Sequence, residues 1–156
     1  MNIKTVLETK IPPPVYELLT AILIWWLDKW LPGGALLPAT LKIPGINLMV
    51  SGFCLDLLAL KQFTGKHTTV NPLSPGKAST VVVSGLYRYT RNPMYLGLLI
   101  ALTGWCLHIG NLASFLCLPL FILVLTQMQI LPEERILSKK FGEPYTDYLK
   151  QVRRWI

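Results

Sequence analysis

The stretch Gly85 to Gly97, GLYRYTRNPMYLG, sets Arg88 and Arg91 among Tyr87, Tyr89 and Tyr95, directly before a long apolar run. Glu133 and Glu134 follow the next apolar run, immediately after Pro132. Arginine forks pair with carboxylates, a helix N-terminus favours an anion, and a pair of glutamates can hold an ammonium and sugar hydroxyls. Bulk composition does not call for such polar density at the mouth of an apolar segment, so these residues form the candidate working site.

The elements that position them are read from the rest of the chain. The 156 residues are 52% hydrophobic and 15% charged, with a mean hydropathy of +0.46. Several apolar runs approach the ~20 residues needed to cross a bilayer, so the chain reads as one integral membrane unit, an all-α helical bundle. The net charge of +7 sits beside apolar runs rather than along a soluble face, which argues against nucleic acid as a partner and for membrane lipids. Cys54, Cys106 and Cys117 lie dispersed in apolar runs without metal-ligand spacing; they read as packing residues, with neither a metal site nor a disulfide framework. No cleavable signal peptide is evident at the start of the sequence.

Four spans are expected. A helix starting near Pro14 carries the first, over Val15 to Leu31, with Trp25, Trp26 and Trp30 suited to an interfacial belt and Glu17 and Asp28 near its two ends. The second runs from about Pro44 to Leu60 and carries Asp56, a functional candidate by default on a spanning helix. Its place five positions before Lys61 supports the competing reading of a solvated or paired acid. The segment from Lys61 to Ser84, broken at Asn71-Pro72 and Ser74-Pro75-Gly76 and containing His67, reads as an ordered loop folded back on the membrane face. Asn92 suits the N-cap of the third span and Pro93 its first helical residue, while Gly97 and Ala101 would let another helix approach closely. After a turn at His108 to Asn111, a fourth span bent at Pro119 completes a helical hairpin with the third. The tail after Pro132 is basic, with helices broken at Gly142 and Leu137, Phe141, Tyr145, Tyr148 and Leu149 holding it to the membrane face.

One domain over 1–156 follows: two spans in 1–62, a loop in 63–92, a hairpin in 93–131 and a tail in 132–156. Basic residues concentrate in the N-terminal segment, the second loop and the tail, and the connection between spans three and four has none. Both termini and the site therefore face the cytoplasm, at the inner (plasma) membrane. That topology brings Arg88, Arg91 and Tyr95 to the same face as Glu133 and Glu134. A ligand with a carboxylate, an ammonium, a sugar and an aromatic ring suits the collection. S-adenosylmethionine is one such ligand, although residue types alone do not select it.

GLYRYTRNPMYLG, then PEERIL and FGEPYTDYLKQVRRWI, resembles the isoprenylcysteine carboxyl methyltransferase and phospholipid methyltransferase superfamily over roughly Thr68 to the C-terminus. The resemblance implies a membrane enzyme that methylates a lipophilic acceptor, a carboxylate, thiol or amine on a small molecule or a lipidated substrate, from S-adenosylmethionine. By position, Arg91, Pro93 and Tyr95 match the family's Arg-His-Pro-x-Tyr pattern and Glu133 and Glu134 its glutamate pair. Asn92 replaces the histidine, and is expected to cap the helix and contact the cofactor. On this reading Arg91 and Glu134 are the catalytic pair. Tyr87, Arg88, Tyr89, Asn92, Pro93 and Tyr95 join Glu133 and Glu134 around the cofactor.

Each motif alone has a plain structural reading: Arg88 and Arg91 as membrane anchors, Pro132-Glu133-Glu134 as an ordinary helix start. A non-catalytic membrane assembly protein that keeps the fold is therefore the competing class. A nicotinamide-dependent reductase on the same scaffold is disfavoured, since no dinucleotide glycine fingerprint is present. The oligomeric state is open.

Overall fold

The structure, a computed structural model, describes residues 8–31, 36–64 and 81–156. His67, the turns at 71–72 and 74–76, and the ordered-loop reading of most of that segment lie outside the described residues. Among the described residues six α-helices are present: α1 Pro13–Trp30, α2 Lys42–Thr64, α3 Pro93–Ile109, α4 Cys117–Leu125, α5 Leu131–Phe141 and α6 Glu143–Gln151. No strand occurs among the described residues.

Prolines and glycines set the limits of these helices. Pro13 and Pro93 stand in the first turns of α1 and α3, where the missing N–H would have no intrahelical partner. The helix α3 ends at Gly110, whose φ of +82° closes the turn and lets its N–H reach the Cys106 carbonyl at 2.9 Å. Asn111 then starts the next helical segment, its Oδ1 accepting from Ala113 N at 3.0 Å. Pro119 falls within the first turn of α4, where proline is tolerated, and a π-type stretch, Thr126–Ile130, follows just before α5. Gly142, at φ +64°, separates α5 from α6.

Successive rods α1, α2, α3 and the Leu112–Phe141 helix run up and down. At one end Leu37 N donates to Gly110 O at 2.6 Å and Asn111 Nδ2 to Asp28 Oδ1 at 3.4 Å. At the other, Thr9 N donates to Met128 O at 3.1 Å and Leu86 N to Gln62 Oε1 at 3.1 Å. Among the described residues two helices, Ala39–Gln62 and Leu112–Phe141, are long and apolar enough to cross a bilayer. The first has only 17% of its apolar window buried inside the protein, which is not how the core helix of a soluble protein behaves. Phe53, Leu57 and Leu58 of α2, Leu120 and Leu123 of α4, and Leu18, Leu19, Trp25 and Trp26 of α1 all point outward, presenting apolar side chains to the surroundings. The helix α3 is apolar but has 17 residues, about 25 Å of rise against a hydrocarbon thickness of about 30 Å.

The interior is built around α3. Its Leu98, Leu102 and Cys106 pack with Ile24 of α1 and Phe121 and Leu125 of α4, and Trp105 Nε1 donates to Ala21 O at 3.1 Å. The most intimate contact of α3 is with α2 rather than with its hairpin partner. Glycines face each other at two levels: a Cβ on Gly52 would stand 2.5 Å from Gly97 O and 2.7 Å from Ala101 N, and one on Gly104 would stand 2.5 Å from Gly45 O. The small pair Gly97 and Ala101 thus receives the backbone of α2, by van der Waals contact that any larger residue would prevent.

Candidate functional site

The polar residues of the two motifs meet where α3 begins and α5 begins. Gly85 makes the approach possible: its φ is +62°, and a Cβ there would lie 2.6 Å from Gln62 Oε1, which accepts the next N–H. One helical turn, Gly85–Arg88, then points Tyr87 inward and leaves Arg88 and Tyr89 exposed. Burial raises the pKa of the Tyr87 phenol above its ordinary value. Pro93 starts α3 and places Tyr95 in its first turn, buried and facing the entry to α5.

Two carboxylate centres result. Glu133 accepts two hydrogen bonds on one oxygen: Tyr95 Oη–H donates to Oε1 at 2.7 Å and Gln129 Nε2 donates to the same atom at 2.8 Å. Its Oε2 carries no hydrogen bond among the described residues. Glu134 is held by arginines. Arg154 Nε and Nη2 donate to Oε1 and Oε2 at 3.0 and 2.8 Å, a parallel fork, while Arg91 Nη1 approaches Oε1 at 3.4 Å. The Arg91 Nε is buried with no partner.

The chain's last residues close over this arrangement. Arg91 N donates to Arg153 O at 3.0 Å, Asn92 Nδ2 to Arg154 O at 2.9 Å and Thr90 Oγ1 to Arg154 O at 3.3 Å. Below them, Tyr148 Oη–H donates to Tyr87 O at 2.7 Å. Burial pushes the Tyr148 phenol up to about 12 against the opposing pull of Arg91, and burial raises that of Tyr145 as well. The apolar tail residues thus pack largely on the protein's own polar end: Tyr145 and Tyr148 are buried, and Leu137, Phe141 and Leu149 are half-buried.

Arg91, Asn92, Pro93, Tyr95, Glu133 and Glu134 are therefore brought together, with Tyr87 beneath them; Arg88 and Tyr89 are not. Asn92 occupies the N-cap position of α3, yet its side chain makes no capping bond, because the amide is turned to the Arg154 carbonyl. Sequence reading missed Arg154, counted only among the tail's basic residues that set the orientation, and Gln129. The latter carried a usable signal: a polar residue in an apolar run, four positions before Glu133 and so on the same helix face. Asp56 is half-buried. Its Oδ1 is buried without a partner against Gly97, within electrostatic reach of Glu17 and Tyr87.

An apolar-faced helical bundle with a charged cluster at one end defines a membrane-associated class of protein. The chain belongs to the phospholipid methyltransferase family, whose model matches residues 41–144. It is 48% identical over 63 residues, 40% of this chain, to the full length of an uncharacterised Haemophilus influenzae protein. Over 76 residues, 49% of this chain, it is 34% identical to the protein-S-isoprenylcysteine O-methyltransferase of Schizosaccharomyces pombe. Over 126 residues, 79% of this chain, it is 32% identical to the methanethiol S-methyltransferase of Pseudomonas deceptionensis. The matches to these two enzymes span 32% and 41% of their respective lengths.

Proposed function

We propose that this protein is an S-adenosylmethionine-dependent methyltransferase of the membrane, acting on a lipophilic carboxylate, thiol or amine. The observation that carries the reading is the pairing of an open carboxylate oxygen on Glu133 with a buried, unpartnered donor on Arg91. One suits a ligand's ammonium or hydroxyls, the other its carboxylate, and S-adenosylmethionine bears all three. Family membership and the two enzyme relatives support the same class.

When bound, the cofactor supplies a methyl group already activated on a sulfonium, so the protein's work is alignment and exclusion of water. In the proposed arrangement Tyr95 and Gln129 fix the Glu133 carboxylate so that Oε2 faces the ligand. Glu134 seats Arg91 from one side, and Tyr87 and Tyr95 wall the pocket. Asn92 and Pro93 fix the start of α3. The acceptor enters laterally from the bilayer between helices. All four rods cross the membrane, the shorter α3 with little tilt, as one domain with both termini and the site in the cytoplasm.

Calorimetry of S-adenosylmethionine with detergent-purified protein tests this reading, with Glu133→Ala and Arg91→Ala alongside. Saturable binding lost in both variants supports it and justifies a screen of membrane extracts for acceptors of labelled methyl groups. A folded wild-type protein that does not bind the cofactor returns the chain to the non-catalytic reading.

A further inference from the structure

Three charged side chains share the Glu134 carboxylate region, and their donors are unevenly used. Arg154 engages both oxygens of Glu134 at 3.0 and 2.8 Å, whereas Arg91 meets only Oε1, at 3.4 Å, and keeps a buried Nε without a partner. Two guanidinium cations share one carboxylate here, and the Glu133 carboxyl lies within electrostatic reach of Glu134. The side chains of Arg91 and Glu134 are 11% and 12% exposed, so water screens their mutual attraction weakly, whereas Arg154 reaches the surface. Arg154 does not depend on its own charge to be there: its carbonyl accepts from Asn92 Nδ2 and Thr90 Oγ1, and the preceding carbonyl accepts from Arg91 N.

We propose that Arg154 is a positioning residue: by forking Glu134 it prevents that carboxylate from capturing Arg91, and so reserves the Arg91 donors for the carboxylate of the ligand. This rests on the cofactor reading above. A guanidinium fits a carboxylate through two parallel bonds, and Arg91 already lies beside one oxygen of Glu134. Without the Arg154 guanidinium, Glu134 and Arg91 would close on each other, consuming the donors a ligand needs. Arg154 therefore acts through Arg91 without touching the ligand.

The test compares calorimetric affinities of the full chain in detergent for S-adenosylmethionine and for its decarboxylated analogue, which keeps the sulfonium, ammonium, ribose and adenine. Arg154→Ala should weaken S-adenosylmethionine on the order of ten-fold, the scale of one charge-assisted hydrogen bond, and weaken the analogue far less. Adding Glu134→Gln to Arg154→Ala should recover most of that loss, because a neutral amide no longer captures Arg91. Arg154→Lys, which keeps the charge and loses the fork, should fall between wild type and Arg154→Ala. A purely structural latch predicts the opposite: both ligands weakened alike, and a double variant no better than the single one. Either result overturns the proposal, as does Arg154→Ala that binds like wild type. Wild-type protein that binds neither compound sinks the cofactor reading and this proposal with it. Wild-type binding without rescue sinks this proposal alone.

Discussion

The α2–α3 crossing and the polar end of the bundle solve the problem of close approach in opposite ways. At the crossing, Gly45, Gly52, Gly97 and Gly104 remove side chains so that two backbones touch. At the polar end, Tyr95, Gln129, Arg91 and Arg154 add side chains so that two acidic groups can be enclosed. The first depends on shape alone and has no adjustable part. The second depends on pairing, where one lost partner strands another, and its unpaired atoms are where a ligand can act. The site sits at the end of α3 because α2 fixes where that helix lies.

The sharpest way to break this contrast is to add one methyl group at the crossing. Gly104→Ala places a Cβ 2.5 Å from Gly45 O and 2.7 Å from Met49 N, backbone atoms that cannot rotate away. The expected cost is about 3 kcal/mol, at the upper range for overpacking, read as a lower thermal midpoint in detergent. A variant as stable as wild type would mean that α2 and α3 do not cross there.

Next in size is Glu133→Ala, which leaves the buried Tyr95 hydroxyl without its acceptor. About 2 kcal/mol of stability should be lost, and restored in part by Glu133→Ala combined with Tyr95→Phe, because the stranded donor goes too. That double variant separates structural from ligand effects: cofactor binding should stay absent while stability returns. Recovery of binding along with stability would remove Glu133 from the site.

Much of this organisation was legible in the sequence, for physical reasons that vary with the residue. Proline at the starts of α1 and α3 and glycine at 110 and 142 act locally, so the helix limits were read within a few residues. The meeting of Arg91 and Tyr95 with the glutamate pair followed from topology, since an antiparallel pair of rods returns the start of one to the end of the next. What stayed hidden depends on three-dimensional choice. Gly97 and Ala101 announce a close neighbour without naming it, and α2 was the partner. Asn92 has the right chemistry to cap α3, but the carbonyl of a residue 62 positions away competes for its amide and wins. Arg154 looks like any basic tail residue until the strap closes. Exposure, which leaves Arg88 and Tyr89 outside the buried cluster, has no signal in a run where arginine and tyrosine alternate.

Smaller effects come from the strap's lower support. Tyr148→Phe removes one neutral hydrogen bond to Tyr87 O and should cost about 1 kcal/mol. The same phenol sets an alkaline limit. Its folded pKa lies at about 12, above an unfolded value of 10.0, so the native state holds the proton more tightly. That contribution is fully present below pH 10, and is lost as pH rises through about 12. Thermal midpoints across this window should fall less steeply in Tyr148→Phe than in wild type, and tyrosinate absorbance should lag behind that of the unfolded chain. Equal slopes would place Tyr148 in water.

Lys150 and Asp147 supply the control for charge itself. Their ion pair, at 2.9 Å, has a shorter N–O distance than that between Arg91 and Glu134, yet its side chains are 75% and 61% exposed. Water and salt screen such a pair, and ordering two mobile side chains offsets most of what attraction remains. Lys150→Ala should therefore change stability by less than about 0.5 kcal/mol and leave cofactor affinity unchanged. The helix α6 is held instead by Tyr145 and Tyr148, whose rings lie buried 6.1 Å apart, so removing an exterior charge leaves that contact in place. A loss comparable with Arg154→Ala would show that general positive charge, rather than the enclosed fork on Glu134, organises the polar end.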